Sequence, residues 1–210
     1  MSEPIIRPAR SDDWRGAYEV CLRTGDFGRD GTPLFAEDPE ALGRLFVGPY
    51  LSYELSRALV VELEGALVGY AFGALDSKQF YDRYEREWRP SLCARYPDPC
   101  GPIETWSRVQ HVHHWYHHPD YFCPPPYTQF PSHLHIDLLP VVQGRGLGRA
   151  MLERVMARLH DEGSPGAHLG VSLRNESAMG FYRRLGFVEL ARNGEGLEAC
   201  VYLGKRLACG

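Results

Sequence analysis

The sequence predicts a mixed α/β sheet with helices packed on both faces, and three observations carry that prediction. Short apolar runs of β type alternate with stripes of helical spacing, in the order β-α-α-β-β, a long interruption, then β-α-β-α-β-β. The turn dipeptide Glu64-Gly65 separates two apolar runs, as between adjacent antiparallel strands. A glycine-rich stretch, Gln143-Gly144-Arg145-Gly146-Leu147-Gly148, joins an apolar strand-like run directly to a long amphipathic pattern.

Each element has its own local reason. Ile5 to Pro8 reads as a first strand, and Ser11-Asp12-Asp13 as a helix start before Trp14, Ala17, Tyr18 and Leu22. Asp38-Pro39-Glu40 opens a second helix expected to run to about Val47, with Pro39 in the first turn, where its missing N–H costs nothing. Ala58 to Leu63 and Ala66 to Leu75 form the hairpin. From about 77 to 131 periodicity gives way to aromatics, prolines and histidines, too rich in Phe, Tyr and Trp for a disordered spacer, so this insertion is expected to pack over the body of the protein. His133 to Leu139 is a strand. The helix after it, through Gly144 to about Asp161, carries Leu147, Met151, Leu152, Val155, Met156 and Leu159 at helical spacing. Ala167 to Leu173 is a strand, Asn175 to Leu185 a helix closed by Gly186, and two last strands, near 187–191 and 199–207, flank the turn-like segment 193–196.

The 210 residues suit one domain with a long excursion. A formal charge of −4 argues against a general nucleic-acid binder. Neither a signal pattern nor a run near the roughly 20 apolar residues of a membrane helix is present, so a soluble, cytoplasmic protein without membrane partners is expected. The cysteines, at 21, 93, 100, 123, 200 and 209, form no C-x-x-C pair and are expected to be free thiols.

Spacing separates the glycine motifs that compete for 143–149. A nucleoside-triphosphate loop requires Gly-Lys-Ser/Thr, and the lysines of this chain are Lys78 and Lys205. A dinucleotide fingerprint requires glycine three positions after Gly146, where Arg149 stands. What remains, Q-x-x-G-x-G in Gln143, Gly146 and Gly148, resembles the signature of the GNAT superfamily of acetyl-coenzyme A dependent N-acetyltransferases. Asn175 to Phe187, N-E-S-A-M-G-F-Y-R-R-L-G-F, is similar to a second element of the same superfamily, and the element order matches the GNAT fold. Pro49-Tyr50-Leu51 to Pro90, the hairpin Gly69 to Asp76, and Phe130 to Asp137 look like the acetyltransferase-like C-terminal domain of O-GlcNAcases and its stand-alone bacterial relatives. Eukaryotic members of that group have a degraded cradle, whereas Gln143, Gly146, Gly148, Asn175 and Tyr182 are present here.

The resemblance implies that backbone N–H groups of Gln143, Gly144, Arg145, Gly146, Leu147, Gly148 and Arg149 receive the pyrophosphate of acetyl-CoA. Leu138 and Leu139 would expose backbone groups to the pantetheine arm, Asn175 would bind its amide, and Tyr182 would protonate the leaving thiolate. The strand 133–139 adds a reading of its own. Alternation puts Leu134, Ile136 and Leu138 on one face and His133, His135 and Asp137 on the other. A polar stripe in a central strand suggests either a cleft beside the acetyl group, with Asp137 or His135 as general base, or a hydrogen-bonded pair bracing the insertion. The tract His111 to His118 is expected to line the acceptor pocket, with one or two histidines reaching substrate or Asp137. No metal is expected, because adjacent histidines in a loop diverge and no acidic residue is spaced regularly among them. The expected activity is acetyl transfer to an amine, on a small molecule or peptide, by direct attack in a ternary complex. The alternative is a module that binds acetyl-CoA or a protein with little transfer. Acceptor identity and oligomeric state stay open.

Overall fold

A computed structural model describes residues 2–196 and 199–208; Met1 and Cys209 lie outside the described residues. Among these residues seven strands form one sheet: β1 (Ile5–Pro8), β2 (Ala58–Leu63), β3 (Ala66–Ala74), β4 (Ser132–Leu138), β5 (Gly166–Ser172), β6 (Val188–Asn193) and β7 (Cys200–Arg206). Their order is β1-β2-β3-β4-β5-β7-β6, antiparallel at every step except the parallel β4–β5 pair. The mixed sheet with helices on both faces is therefore as the sequence predicts.

Among the described residues eight α-helices surround it: α1 (Trp14–Arg23), α2 (Ala41–Phe46), α3 (Gly48–Tyr53), α4 (Ser77–Arg83), α5 (Arg89–Arg95), α6 (Arg108–His117), α7 (Leu147–Asp161) and α8 (Glu176–Arg184). The central strand β3 is buried on both faces. On one, a side chain at Gly73 would strike Val155 and Leu159 of α7, so glycine lets that helix lie close. On the other, Tyr70 and Phe72 stack at 4.5 Å, on the side where α1 supplies buried Ala17, Val20 and Cys21. Among the described residues no helix is long and apolar enough to cross a membrane.

Several boundaries differ from expectation for identifiable reasons. The helix expected from Asp38 begins at Ala41, because the Asp38 carboxylate does not cap. It accepts instead from Arg44 at 2.7 and 2.8 Å and lies 3.0 Å from His113 Nε2. Helix α3 has no counterpart in the sequence-based expectation. Helix α7 starts at Leu147 rather than Gly144, since Gly144 (φ 73°) and Gly146 (φ 77°) are left-handed and cannot continue a helix. The segment between β3 and β4 is ordered, holding α4, a π-helical turn at Tyr84–Trp88, α5 and α6. Phe80 and Tyr116 are buried, and the Tyr116 hydroxyl donates to the Ala41 carbonyl at 2.6 Å, which fastens α6 to α2.

Candidate active site

The site begins where the sheet comes apart. Strands β4 and β5 pair only at Ser132–Ala167 and His133–His168 among the described residues. Past His133 they splay. Because the Leu139 N–H donates to the Val68 carbonyl at 2.8 Å, antiparallel alternation points the N–H groups of Ile136 and Leu138 away from β3 and into the gap. A cleft of about 620 Å³ follows the splay. Along its length it is lined by Leu134, Ile136 and Leu138 of β4, Leu169 and Val171 of β5, and Tyr182 of α8.

One end is the glycine loop. The N–H of Gln143 is spent on Pro140 at 3.2 Å, and its side-chain amide donates to the Leu138 carbonyl at 2.8 Å. From Gly144 to Arg149 no N–H donates to a protein acceptor among the described residues. The last three of these open α7, where the positive end of the helix dipole adds to them. Nothing lies within 4 Å of where a side chain would stand at Gly144 or Gly146, whereas at Gly148 one would come within 3.2 Å of Leu138 and Phe181. The loop is thus a cradle open to solvent, seated on the splay, and chemically suited to a diphosphate.

Titratable groups also gather along the cleft. The Tyr70 hydroxyl donates to Asp137 Oδ2 at 2.5 Å and lies 3.0 Å from His135 Nε2. With the phenolic proton on Asp137, the Tyr70 oxygen accepts from His135 Nε2–H, which fixes that tautomer. Burial pushes the Asp137 carboxyl up to about 7, against the lowering pull of hydrogen bonds from Tyr70 and Thr24. About a quarter of its side-chain surface still reaches the cleft. Burial pushes His135 down to about 4, so it is neutral. Tyr182, buried and near enough to the Asp137 carboxylate to feel it, is held above the ordinary phenol range by burial first and that charge second.

Most of the anticipated site residues converge here: His135, Asp137, Leu138, Gln143, Gly144, Gly146, Leu147, Gly148, Arg149, Asn175 and Tyr182 all line the cleft. Others do not. Leu139 is buried and both its backbone groups are engaged, the N–H with Val68 and the carbonyl with Val142. Arg145 is exposed and outside the lining. The Asn175 carboxamide oxygen caps α8 through the Ala178 N–H at 3.1 Å, leaving only its amino group free to face a ligand. The polar stripe divides: His133 is buried, stacked on Tyr81 at 5.3 Å, with Nδ1 2.8 Å from Ser77 Oγ. It braces the segment before β4, while His135 and Asp137 face the cleft.

The histidine tract also departs from expectation. It is helical, forming most of α6, and no residue of 77–131 lines the cleft. His113 pairs with Asp38, His117 with the Tyr96 carbonyl, and His114 and His118 with Asp98. Its influence on the site passes through Trp115, which packs on Phe46, which in turn stacks on His135 at 5.8 Å.

Sequence reasoning misses Tyr70, which holds Asp137, and Thr24, Phe27, Gly28 and Arg29, which line the cleft, Gly28 beside Asn175. A cross-strand register finds Tyr70, which pairs directly with Asp137. Replacing Tyr70 by Phe keeps the ring and removes a hydrogen bond that favours the ionised carboxylate. The acidic limb of the pH–rate profile is then expected to move up from about 7, by roughly one unit. An unmoved limb would show that Tyr70 does not set the ionisation of Asp137.

A cleft whose lining joins an anion-ready glycine loop to titratable groups has the components an acyltransferase requires. The profile of the acetyltransferase (GNAT) family matches residues 26–187. The chain belongs to that family. The crystal structure of SsHAT is similar at 37% identity and a TM-score of 0.86, covering 98% of this chain and 99% of that one. Protein O-GlcNAcase of Rattus norvegicus is 29% identical over 204 residues, 96% of this chain but only 22% of that protein. The structure of yncA from Salmonella typhimurium with its cofactor acetyl-CoA shares the fold at 14% identity and a TM-score of 0.55, covering 100% of this chain and 96% of that one.

Proposed function

We propose that this chain uses acetyl-CoA and transfers the acetyl group to an amine by direct attack. The observation that carries the reading is that Asp137 and Tyr182 line the same cleft as a loop whose row of N–H groups is unengaged among the described residues. Residues Gly144 and Gly146 to Arg149 would hold the diphosphate, and the splayed edges of β4 and β5 the pantetheine. The Leu138 N–H would donate to the acetyl oxygen as negative charge develops on it.

Asp137, ionised above about pH 7, takes a proton from the acceptor's ammonium and passes it to solvent. The lone pair of the resulting amine forms the C–N bond, the thioester C–S bond breaks, the sulfur leaves with the proton of Tyr182, and the second nitrogen proton restores the tyrosine. His135 orients Tyr70 and stays neutral. The acceptor would enter past Thr24, Phe27 and Arg29, which also line the cleft. A small amine or a peptide amine fits this reading.

Isothermal titration with acetyl-CoA, with NAD as control, tests it. Micromolar, selective binding is expected, and folded protein that takes up no acetyl-CoA would refute the reading. Tyr182→Phe is expected to lower kcat by about 10²-fold with little change in coenzyme affinity. Normal turnover in that variant would remove Tyr182 as proton donor.

A further inference from the structure

The histidine tract carries a second feature that acetyl transfer does not use. His114 and His118 are one helical turn apart at the end of α6 and project from the same face. Both converge on Asp98, in the segment between α5 and α6. His114 Nδ1 lies 2.8 Å from one carboxylate oxygen and His118 Nε2 2.7 Å from the other. The two imidazoles lie with centroids 4.2 Å apart, and one ligand atom from each of the three residues falls within 4.8 Å of the others. The neighbouring His113 and His117 point elsewhere, to Asp38 and the Tyr96 carbonyl.

We propose that Asp98, His114 and His118 form a surface site for one divalent transition-metal ion, with zinc the best match. Two imidazole nitrogens and a carboxylate oxygen are a donor set that zinc accepts, with remaining positions open to water. Around a tetrahedral ion with bonds of about 2.0–2.1 Å, neighbouring donors sit about 3.3 Å apart. The two nitrogen–oxygen separations, each to a different carboxylate oxygen, would open by about half an ångström, and ligand atoms now up to 4.8 Å apart would close toward that spacing. The partly exposed His118, at 56% of its side-chain surface, leaves a path for the ion. Trp106 packs on the His114 ring at 4.9 Å and limits its rotation. Calcium and magnesium are poor candidates, because they prefer all-oxygen shells.

The site lies outside the cleft and supplies nothing to the transfer chemistry. Its physical consequence is a staple. An ion held by Asp98 and α6 would tie the α5–α6 connection to the helix that Tyr116 fastens to α2. Phe46, the last residue of α2, stacks on His135.

Calorimetry of untagged full-length protein with Zn²⁺ alone tests the proposal, with Co²⁺ absorption as an independent reading of coordination. One equivalent bound at micromolar Kd is expected, with thermal unfolding raised by about 5–10 °C at hundredfold excess over Kd. His118→Ala and Asp98→Asn should each weaken binding at least about tenfold, while His117→Ala should not. Absence of binding at 100-fold excess of Zn²⁺ over about 1 µM, or equal weakening by His117→Ala and His118→Ala, would overturn it. Measuring the metal alone keeps this outcome separate from any failure of acetyl transfer.

Discussion

Replacing Asp137 by asparagine is expected to lower kcat/KM by about 10²- to 10⁴-fold and to abolish the limb of the pH–rate profile that rises through about 7. The substitution keeps size and the ability to accept from Tyr70 while removing the base. The groups facing Asp137 are Tyr70 on β3, His135 on β4, Cys21 and Thr24 at the end of α1, and Tyr182 on α8. The phenols, the neutral histidine and the buried thiol all hold their protons or stay uncharged near neutrality, so a limb near pH 7 belongs to the carboxylate. The sign for stability follows. In the unfolded chain the carboxyl ionises near 3.9, so between that pH and about 7 the folded state keeps a proton that the unfolded state has lost. Stability therefore falls as pH rises through this window. Asparagine removes the burial penalty, and the Tm difference, variant minus wild type, should grow from pH 5 to pH 8. A variant that turns over normally would exclude Asp137 as base, whatever its stability.

Gly146→Glu is expected to weaken acetyl-CoA binding at least about 100-fold. A non-glycine residue at φ 77° meets left-handed strain of roughly 1–2 kcal/mol, and the added carboxylate stands in the loop whose N–H groups would meet the diphosphate. Because open solvent surrounds the position, the fold should survive with a Tm loss of a few degrees. Gly146→Ala carries the strain without the charge and should bind with an intermediate affinity. Titration of both variants decides the matter: equal affinity in wild type and Gly146→Glu would place the diphosphate elsewhere.

Much of this architecture is legible in the residues. Glu64-Gly65 specifies the β2–β3 hairpin because its left-handed turn joins only closely paired strands. The stripe from Leu147 to Leu159 specifies α7, and Gly186, at φ 83°, ends α8. The spacing of Gln143, Gly146 and Gly148 points by itself to an anion cradle. Local rules suffice in these cases because cause and effect lie within a few residues.

The rest depends on partners distant in sequence. Asp38 reads locally as a cap, but Arg44 and His113 claim its carboxylate. Leu139 reads as a coenzyme contact, but Val68 takes its N–H. The histidines of 111–118 read as diverging in a loop, yet helix formation puts His114 and His118 on one face, and Asp98 meets them from outside the tract. By itself the sequence determined the succession of strands, the glycine loop and the alternation that presents His135 and Asp137 together, since each is set by backbone periodicity and steric limits on φ. Only the tertiary structure decided where β4 parts from β5, that Tyr70 rather than a histidine of α6 holds Asp137, and that burial raises that carboxyl to about 7. Those properties depend on strand register and on the exclusion of water, which arise only when distant segments pack against one another.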